Sequence, residues 1–574
     1  MRYELRLMDT LSGVGCFAAH PGPNLAFAEM LDHLRQHPLD DFMHQHLLFK
    51  LGEHRTRKFE KLIDEVQQDG RCTDPVLAAL LVEACLGHER FAHLLPRLSG
   101  LDLREISRHT PAVHIRSYLL ADQCLHNEWT MRMQMNIVAH EALAAPDEMG
   151  LAEPYAAEIY AKDALPAAAT VTAAGMRQRL AAVLPPAKAR RPAPETSAHA
   201  LAKLEEKNVF IGQEMRHKAS LSPIALLRMW LVELSVKSGD MNYSLSGMQT
   251  SYGRGLEIEG ARASYLMEVA ERVSSYASIG KRGVMGLARP CPLTYGSYDE
   301  VSATGRALDL SRVRLEVPYE GQRIYWMPGE ERFGTQEQGG GLRPILVPAQ
   351  FVYLFCNMEE QSLFSALGST GLASGNTLAE AKVHALNEVL ERDAEAVTPF
   401  DLSRCFRLTA RDERVARLLS DYEEANLHVW FMDCTSEFGV PCYKAVVVGR
   451  HGDVNKGMGA HLSGPRAAVS AMTEIPYPFP GPLTLPVPEN LPVRVLEDLP
   501  DHSTGSAEGD LMVLEETLVA CGYPPSYVDL TRADLGIPAV RALVPGLEWV
   551  ADFDRFSRLP PRLYANYLRQ FGAL

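Results

Sequence analysis

Residues able to do chemistry recur at one spacing in this sequence of 574 residues. His384, Glu388 and Glu391 stand at i, i+4, i+7. Ser264, Glu268 and Glu271 repeat that spacing, and Ser470 with Glu474 repeats its first half. At roughly 100° per residue, such a set falls within about 60° on one helix face. Facing helices carrying Glu268, Glu271, Glu388 and Glu391 would enclose a strongly negative pocket. Divalent cations relieve such a pocket, and Mg2+ prefers carboxylate plus phosphate oxygens. Neither G-x-x-x-x-G-K-[ST] nor G-x-G-x-x-G occurs, so a nucleotide site here cannot use the two common phosphate loops.

The elements that must position these groups are readable too. Thr377 is a candidate N-cap, with Glu380 three residues on, and Leu386, Val389 and Leu390 form the docking face. Upstream, Leu266, Ala270 and Val273 do the same for the Ser264 set. The plainer reading is a solvated helix. Glu268–Arg272 and Glu388–Arg392 are i, i+4 pairs worth about 0.2–0.5 kcal/mol each. Recurrence over a long distance, each time after a Gly-containing turn, favours one shared site.

Three ordered segments carry a resemblance: Ser264-x3-Glu268-x2-Glu271-Arg272, then Gly375-Asn376-Thr377 to Glu391-Arg392-Asp393, then Val528 to Glu548. Together they resemble the YcaO family from about residue 200 to near the C-terminus. The resemblance implies ATP- and Mg2+-dependent activation of a peptide backbone amide by O-phosphorylation, leading to a thioamide or azoline. It implies that Arg254, Ser264, Glu268, Glu271, Glu388, Glu391, Ser470 and Glu474 hold ATP, with Glu268, Glu271, Glu388 and Glu391 on the metal. Arg272, Arg392 and His384 are the catalytic candidates, and Arg541 is a weaker one. His384 could coordinate metal, bond a phosphate or line the face. Substituting Glu388 or Glu391 should weaken ATP far more than substituting Glu395 on the same helix.

The sequence also departs from the family pattern. Arg254 stands between glycines where many members have Lys, and it can approach a phosphate bidentately. Ser470 stands where Arg is often found, and Pro476-Tyr477-Pro478 replaces a Gln/Arg-containing continuation. The sequence shows no Pro-x-Pro-x-Pro tail, which leans the expectation towards thioamide formation. A carboxylate–metal oxidase or hydrolase using His384, and a non-catalytic nucleotide-binding adaptor, are the other readings.

Composition bounds the rest. A net charge of −15 argues against general nucleic-acid binding. No signal-peptide core or membrane span is legible, so a cytoplasmic protein is expected. The 10 cysteines form no C-x-x-C and read as reduced thiols. His33 and His37 stand at i, i+4, but Leu34 replaces the Glu of a zinc-protease helix, so the many N-terminal histidines read as ordinary ones.

The expected organisation is α+β: an all-α N-terminal domain over 1–185, a Pro/Ala-rich linker over 186–199, and a YcaO-like α+β domain over 200–574. The N-terminal part is expected to recognise a peptide or protein substrate or a TfuA-like or substrate-presenting partner. A homodimer stays open. Ser222-Pro223 reads as a helix start, with the apolar run Ile224–Glu233 as helix, and Val313–Met327 reads as strand. Pro476 to Pro488 reads as an extended surface tract.

Overall fold

The computed structural model describes residues 1–8, 16–22, 25–68, 71–163, 171–217, 221–238, 241–475, 483–550 and 553–574. The Pro476-Tyr477-Pro478 departure and most of the proline tract lie outside them.

Among the described residues the chain builds three main sheets, and each carries one of the three polar-faced helices. The first sheet runs Cys16–Pro21, Arg2–Met8, Met241–Gly255, Ile224–Ser238, Ile279–Gly280, Gly283–Val284, with Phe210–Arg216 also paired to Ile224–Ser238. The second runs Thr294–Gly296, Ile324–Phe333, Ser526–Asp529, Ala539–Leu543, Leu372–Ser374, with Gly341–Pro348 on Ile324–Phe333. The third runs Val454–Ala460, Cys442–Val448, His428–Asp433, Cys405–Thr409, Val493–Val495. The mixture is α+β.

Two expectations are corrected here. Ile224–Ser238 is a strand, not a helix, paired over its length with Met241–Gly255. The deciding pattern is Trp230, Val232, Leu234, Val236: large or β-branched residues, all buried, at a period of two. Ser222 caps no helix; its hydroxyl bonds the Ile224 carbonyl at 3.0 Å. In 313–327 only the stretch from Ile324 is strand, because Pro318 and Gly321, at φ 85°, interrupt the ladder.

The N-terminal region is not all-α. It does carry helices, among them Asp41–Gly52, Thr56–Val66 and Pro75–Gly87. But Arg2–Met8 alternates buried and exposed residues and pairs in parallel with Met241–Gly255, and Gln67–Gln68 with Arg71–Cys72 forms a small hairpin. Tyr3 and Leu5 join one apolar core with Leu77, Leu80, Leu245 and Tyr265. Within 186–199, a helix already begins at Ala193 and buries Thr196, Ser197, Ala200 and Leu204. Two of the N-terminal histidines pair with carboxylates inside the fold. His44 Nε2 meets Glu83 at 2.7 Å in full burial, and His33 Nε2 meets Asp40 at 2.8 Å.

Candidate nucleotide site

The first helix, Ile258–Ser275, lies on the Met241–Gly255 strand. The approach is so close that a Cβ on Gly253 would overlap the Ala261 carbonyl. The second, Leu378–Val397, starts at Thr377, whose side chain accepts from Glu380 N at 3.1 Å, and packs on Ala539–Leu543 and Leu372–Ser374. The third, Gly464–Thr473, lies on Val454–Ala460, where Gly459 makes room for the Ala467 carbonyl. The glycine turns seen in the sequence are therefore places where a strand must touch a helix backbone.

The three helices converge on a cavity of ≈ 790 Å³. Every sequence-derived site residue lines it: Arg254, Ser264, Glu268, Glu271, Arg272, His384, Glu388, Glu391, Arg392, Ser470 and Glu474. Arg541 lies behind the wall at 1% exposure, its charge felt by Glu388 and Glu271.

The carboxylates are crowded and poorly solvated. Burial, with Glu388 and Glu268 beside it, pushes Glu271 up to about 8. Burial, with Glu474 and Glu388, does the same to Glu391, also about 8. Burial also raises Glu268, Glu388 and Glu474. Backbone amides hold part of this charge: Tyr252 N meets Glu268 at 3.3 Å, Gly371 N meets Glu388 at 3.2 Å, and Ala460 N meets Glu391 at 3.2 Å. Arginines hold another part. Arg272 stands 3.3 Å from Glu271 and 3.7 Å from Glu268, and Arg392 stands 3.1 Å from Glu391.

Arg254 donates to the Glu474 backbone carbonyl at 2.7 Å, tying the first sheet to the third helix. Ser470 Oγ donates to Glu474 at 3.0 Å. His384 projects openly into the cavity, yet the surrounding walls desolvate it and lower its pKa. Glu395 is no bystander. It pairs with Arg392 at 2.9 Å and with Lys444 at 3.8 Å, so its substitution would disturb Arg392 and it fails as a neutral control.

Sequence reasoning missed several lining residues. Arg466 stands four residues before Ser470, extending the i, i+4 pattern by one turn, so its signal was present. Asn387 sits beside Glu388, with its Oδ1 buried and reached by no donor. His461 follows the glycine-bearing strand; burial pushes it down to about 3. Arg190 comes from the tract read as linker and carries no periodic signal.

The donor set fits magnesium with a nucleotide. Among the described residues, no three His, Cys, Asp or Glu side chains converge to hold a metal by themselves. The cavity instead offers spread carboxylate oxygens and the orphan Asn387 oxygen. Mg2+ typically takes one or two carboxylates and completes its shell with phosphate and water.

The family model "YcaO cyclodehydratase, ATP- and Mg2+-binding" matches residues 252–476 and 481–548, just over half of the sequence. The chain belongs to the YcaO family. ATP and Mg2+ are that family domain's cofactors. An uncharacterized protein of Methanothermobacter thermautotrophicus is 28% identical over 346 residues, 53% of this chain and 84% of its own length. An uncharacterized protein in the tfuA 3′ region of Rhizobium leguminosarum is 30% identical over 241 residues, 39% of this chain. This chain spans 53% of that relative, about half its length. Among solved structures, a heterocyclase in complex with substrate and cofactor aligns at TM-score 0.48 and 19% identity, over 66% of this chain and 55% of that one. YcaO from Methanopyrus kandleri, bound with AMPPCP and Mg2+, aligns at 0.44 and 19%, over 63% and 95%. No helix among the described residues is long and apolar enough to cross a membrane.

Proposed function

We propose that this YcaO protein activates a backbone amide of a peptide or protein by ATP-dependent O-phosphorylation, leading to a thioamide or azoline-type modification. One observation carries the reading: three helices from three sheets bring six glutamates and the arginines between them into one cavity.

An amide carbonyl is a poor electrophile, and ATP with Mg2+ supplies the phosphoryl group that turns its oxygen into a leaving group. The chain's part is binding and charge control. Glu268, Glu271, Glu388 and Glu391 would hold the metal, with Asn387 contributing an oxygen. Glu474, positioned by Ser470, and Ser264 complete the lining on the nucleotide. Arg272 and Arg392 sit within reach of the same carboxylates, where they would compensate charge on the transferring phosphoryl. Arg254 would approach a phosphate while bracing Glu474. His384, below its ordinary pKa, would be neutral near pH 7, able to accept a proton at one ring nitrogen.

In this reading, 200–574 is the catalytic part and the N-terminal 1–185 recognises substrate or partner. The relative in the tfuA 3′ region supports a TfuA-like partner. The proposal needs only the division of labour, since the core runs through both parts.

The test is a peptide recovered with the protein, incubated with ATP and Mg2+ and weighed by mass spectrometry. Cyclisation at Cys, Ser or Thr loses one water; thioamidation, given a sulfur donor, replaces oxygen by sulfur. Peptide-dependent ATP consumption should accompany either. Nucleotide binding with no peptide-stimulated turnover would support an adaptor and contradict the proposal.

A further inference from the structure

Arg190 lines the cavity but lies outside the stretch that matches the family. It reaches the site through the segment between the N-terminal helices and the helix Ala193–Glu206. That segment is fastened on both sides. Lys188 N donates to the Gly505 carbonyl at 3.1 Å. Beyond Arg190, Ser197 Oγ meets the Glu259 carbonyl at 3.3 Å and Thr196 Oγ1 meets Asn376 at 3.2 Å. Those two contacts bind the segment to the start of the first helix and to the turn before the second. Pro185, Pro186 and Pro192 restrict the backbone between them.

The guanidinium is loosely tethered to Asp510, at 3% exposure. Asp510 Oδ1 takes Thr504 N at 2.7 Å and Thr504 Oγ1 at 3.0 Å, and Oδ2 takes Arg190 at 3.3 Å. The carboxylate is thus already well satisfied, and Arg190 makes its longest bond. Asp510 is not part of the cavity lining. Arg254, Arg272 and Arg392 are engaged with the glutamates or their backbone. On the side of Arg190 the cavity has His384, His461 and Arg466. Both histidines lose charge through burial, which leaves the two arginines as its lasting positive charge.

We propose that Arg190 is a phosphate-binding residue of the nucleotide site, delivered in cis by the segment that joins the N-terminal region to the rest of the chain. A planar guanidinium pairs with phosphate oxygens bidentately, and one 3.3 Å bond to Asp510 leaves Arg190 donors for that pairing. The proposal rests on the ATP reading above. It also gives the N-terminal region a physical handle on the nucleotide, because displacing the segment would withdraw Arg190.

The experiment uses the full chain and calorimetry of Mg2+·ATP and of AMP on wild type, Arg190→Ala, Arg190→Lys and Asp510→Asn. Arg190→Ala should weaken Mg2+·ATP about tenfold or more while moving AMP far less. Arg190→Lys should recover only part of that loss. Asp510→Asn, which frees the guanidinium but keeps it, should bind Mg2+·ATP as tightly as wild type. Equal losses in Arg190→Ala and Asp510→Asn, with matching drops in melting temperature, would reduce Arg190 to a structural tether and overturn the proposal. Unchanged ATP affinity in Arg190→Ala, with wild type binding normally, would overturn it while the ATP reading stands. Failure of the wild type to bind Mg2+·ATP would sink both.

Discussion

Glu391→Gln should make the nucleotide-free protein more stable while it weakens ATP. Glu391 is 8% exposed, and its carboxyl is pushed from near 4.5 up to about 8, chiefly by burial and then by Glu474. Between those values the folded chain holds a proton that the unfolded chain has lost. Stability therefore falls as pH rises from about 4.5 to about 8. At ~1.36 kcal/mol per pKa unit, an isolated group would carry roughly 4–5 kcal/mol of this strain at pH 8. Glu271, Glu388 and Glu474 share the strain and relax when one member is neutral, so the net gain is on the order of 2 kcal/mol. Unfolding entropy of ~2.1 cal/mol/K per residue converts that into a rise of roughly 1.5–2 °C. The assay is thermal melting of wild type and Glu391→Gln from pH 5 to 9, without and with Mg2+·ATP. The variant should melt higher at pH 8, converge with wild type near pH 5, and lose its advantage when Mg2+·ATP is added. A variant that melts lower at pH 8, or a gap that widens towards acid, would refute the crowding argument.

Two further outcomes follow from buried charges outside the cavity. Arg562, at 2% exposure, pairs with the fully buried Asp393 of the second helix, so Arg562→Ala should cost about 3–5 kcal/mol by urea denaturation; a loss below about 1 kcal/mol would deny that pair its role. Lys456 donates to the Val138 carbonyl at 2.5 Å, and burial pushes it down to about 7. The unfolded lysine keeps its proton to about 10.4, so stability should rise from pH 7 towards 9.5, and Lys456→Met should flatten that slope.

What was legible in the sequence was mostly what repeats. The i, i+4, i+7 faces survive folding because a helix fixes their angles locally, so Glu268, Glu271, Glu388 and Glu391 were readable. The Thr377 cap was readable for the same reason. The strand Ile224–Ser238 was misread because Leu and Met suit a helix, and its period of two is decided by the partner strand. Nothing local to Arg2–Met8 says that it pairs with Met241–Gly255, more than two hundred residues away. Arg190 was not singled out as a site residue: with Lys188 and Arg191 it makes a basic proline-rich tract that can touch phosphates but reads more simply as an exposed linker, until Asp510 and Gly505 fix where the tract runs. Glu395 stands four residues beyond Glu391 and so on the same helix face, but its pairing with Arg392 and Lys444 was not legible.

The central claim is that the glutamate cavity holds ATP through magnesium. Calorimetry of ATP on the full chain, with Mg2+ and then with a chelator in its place, tests it most directly, using Glu388→Gln as the variant. Tight binding with Mg2+, binding weakened at least a hundredfold without it, and a large loss in Glu388→Gln are the predicted results. Equal ATP affinity with and without Mg2+ would contradict the account.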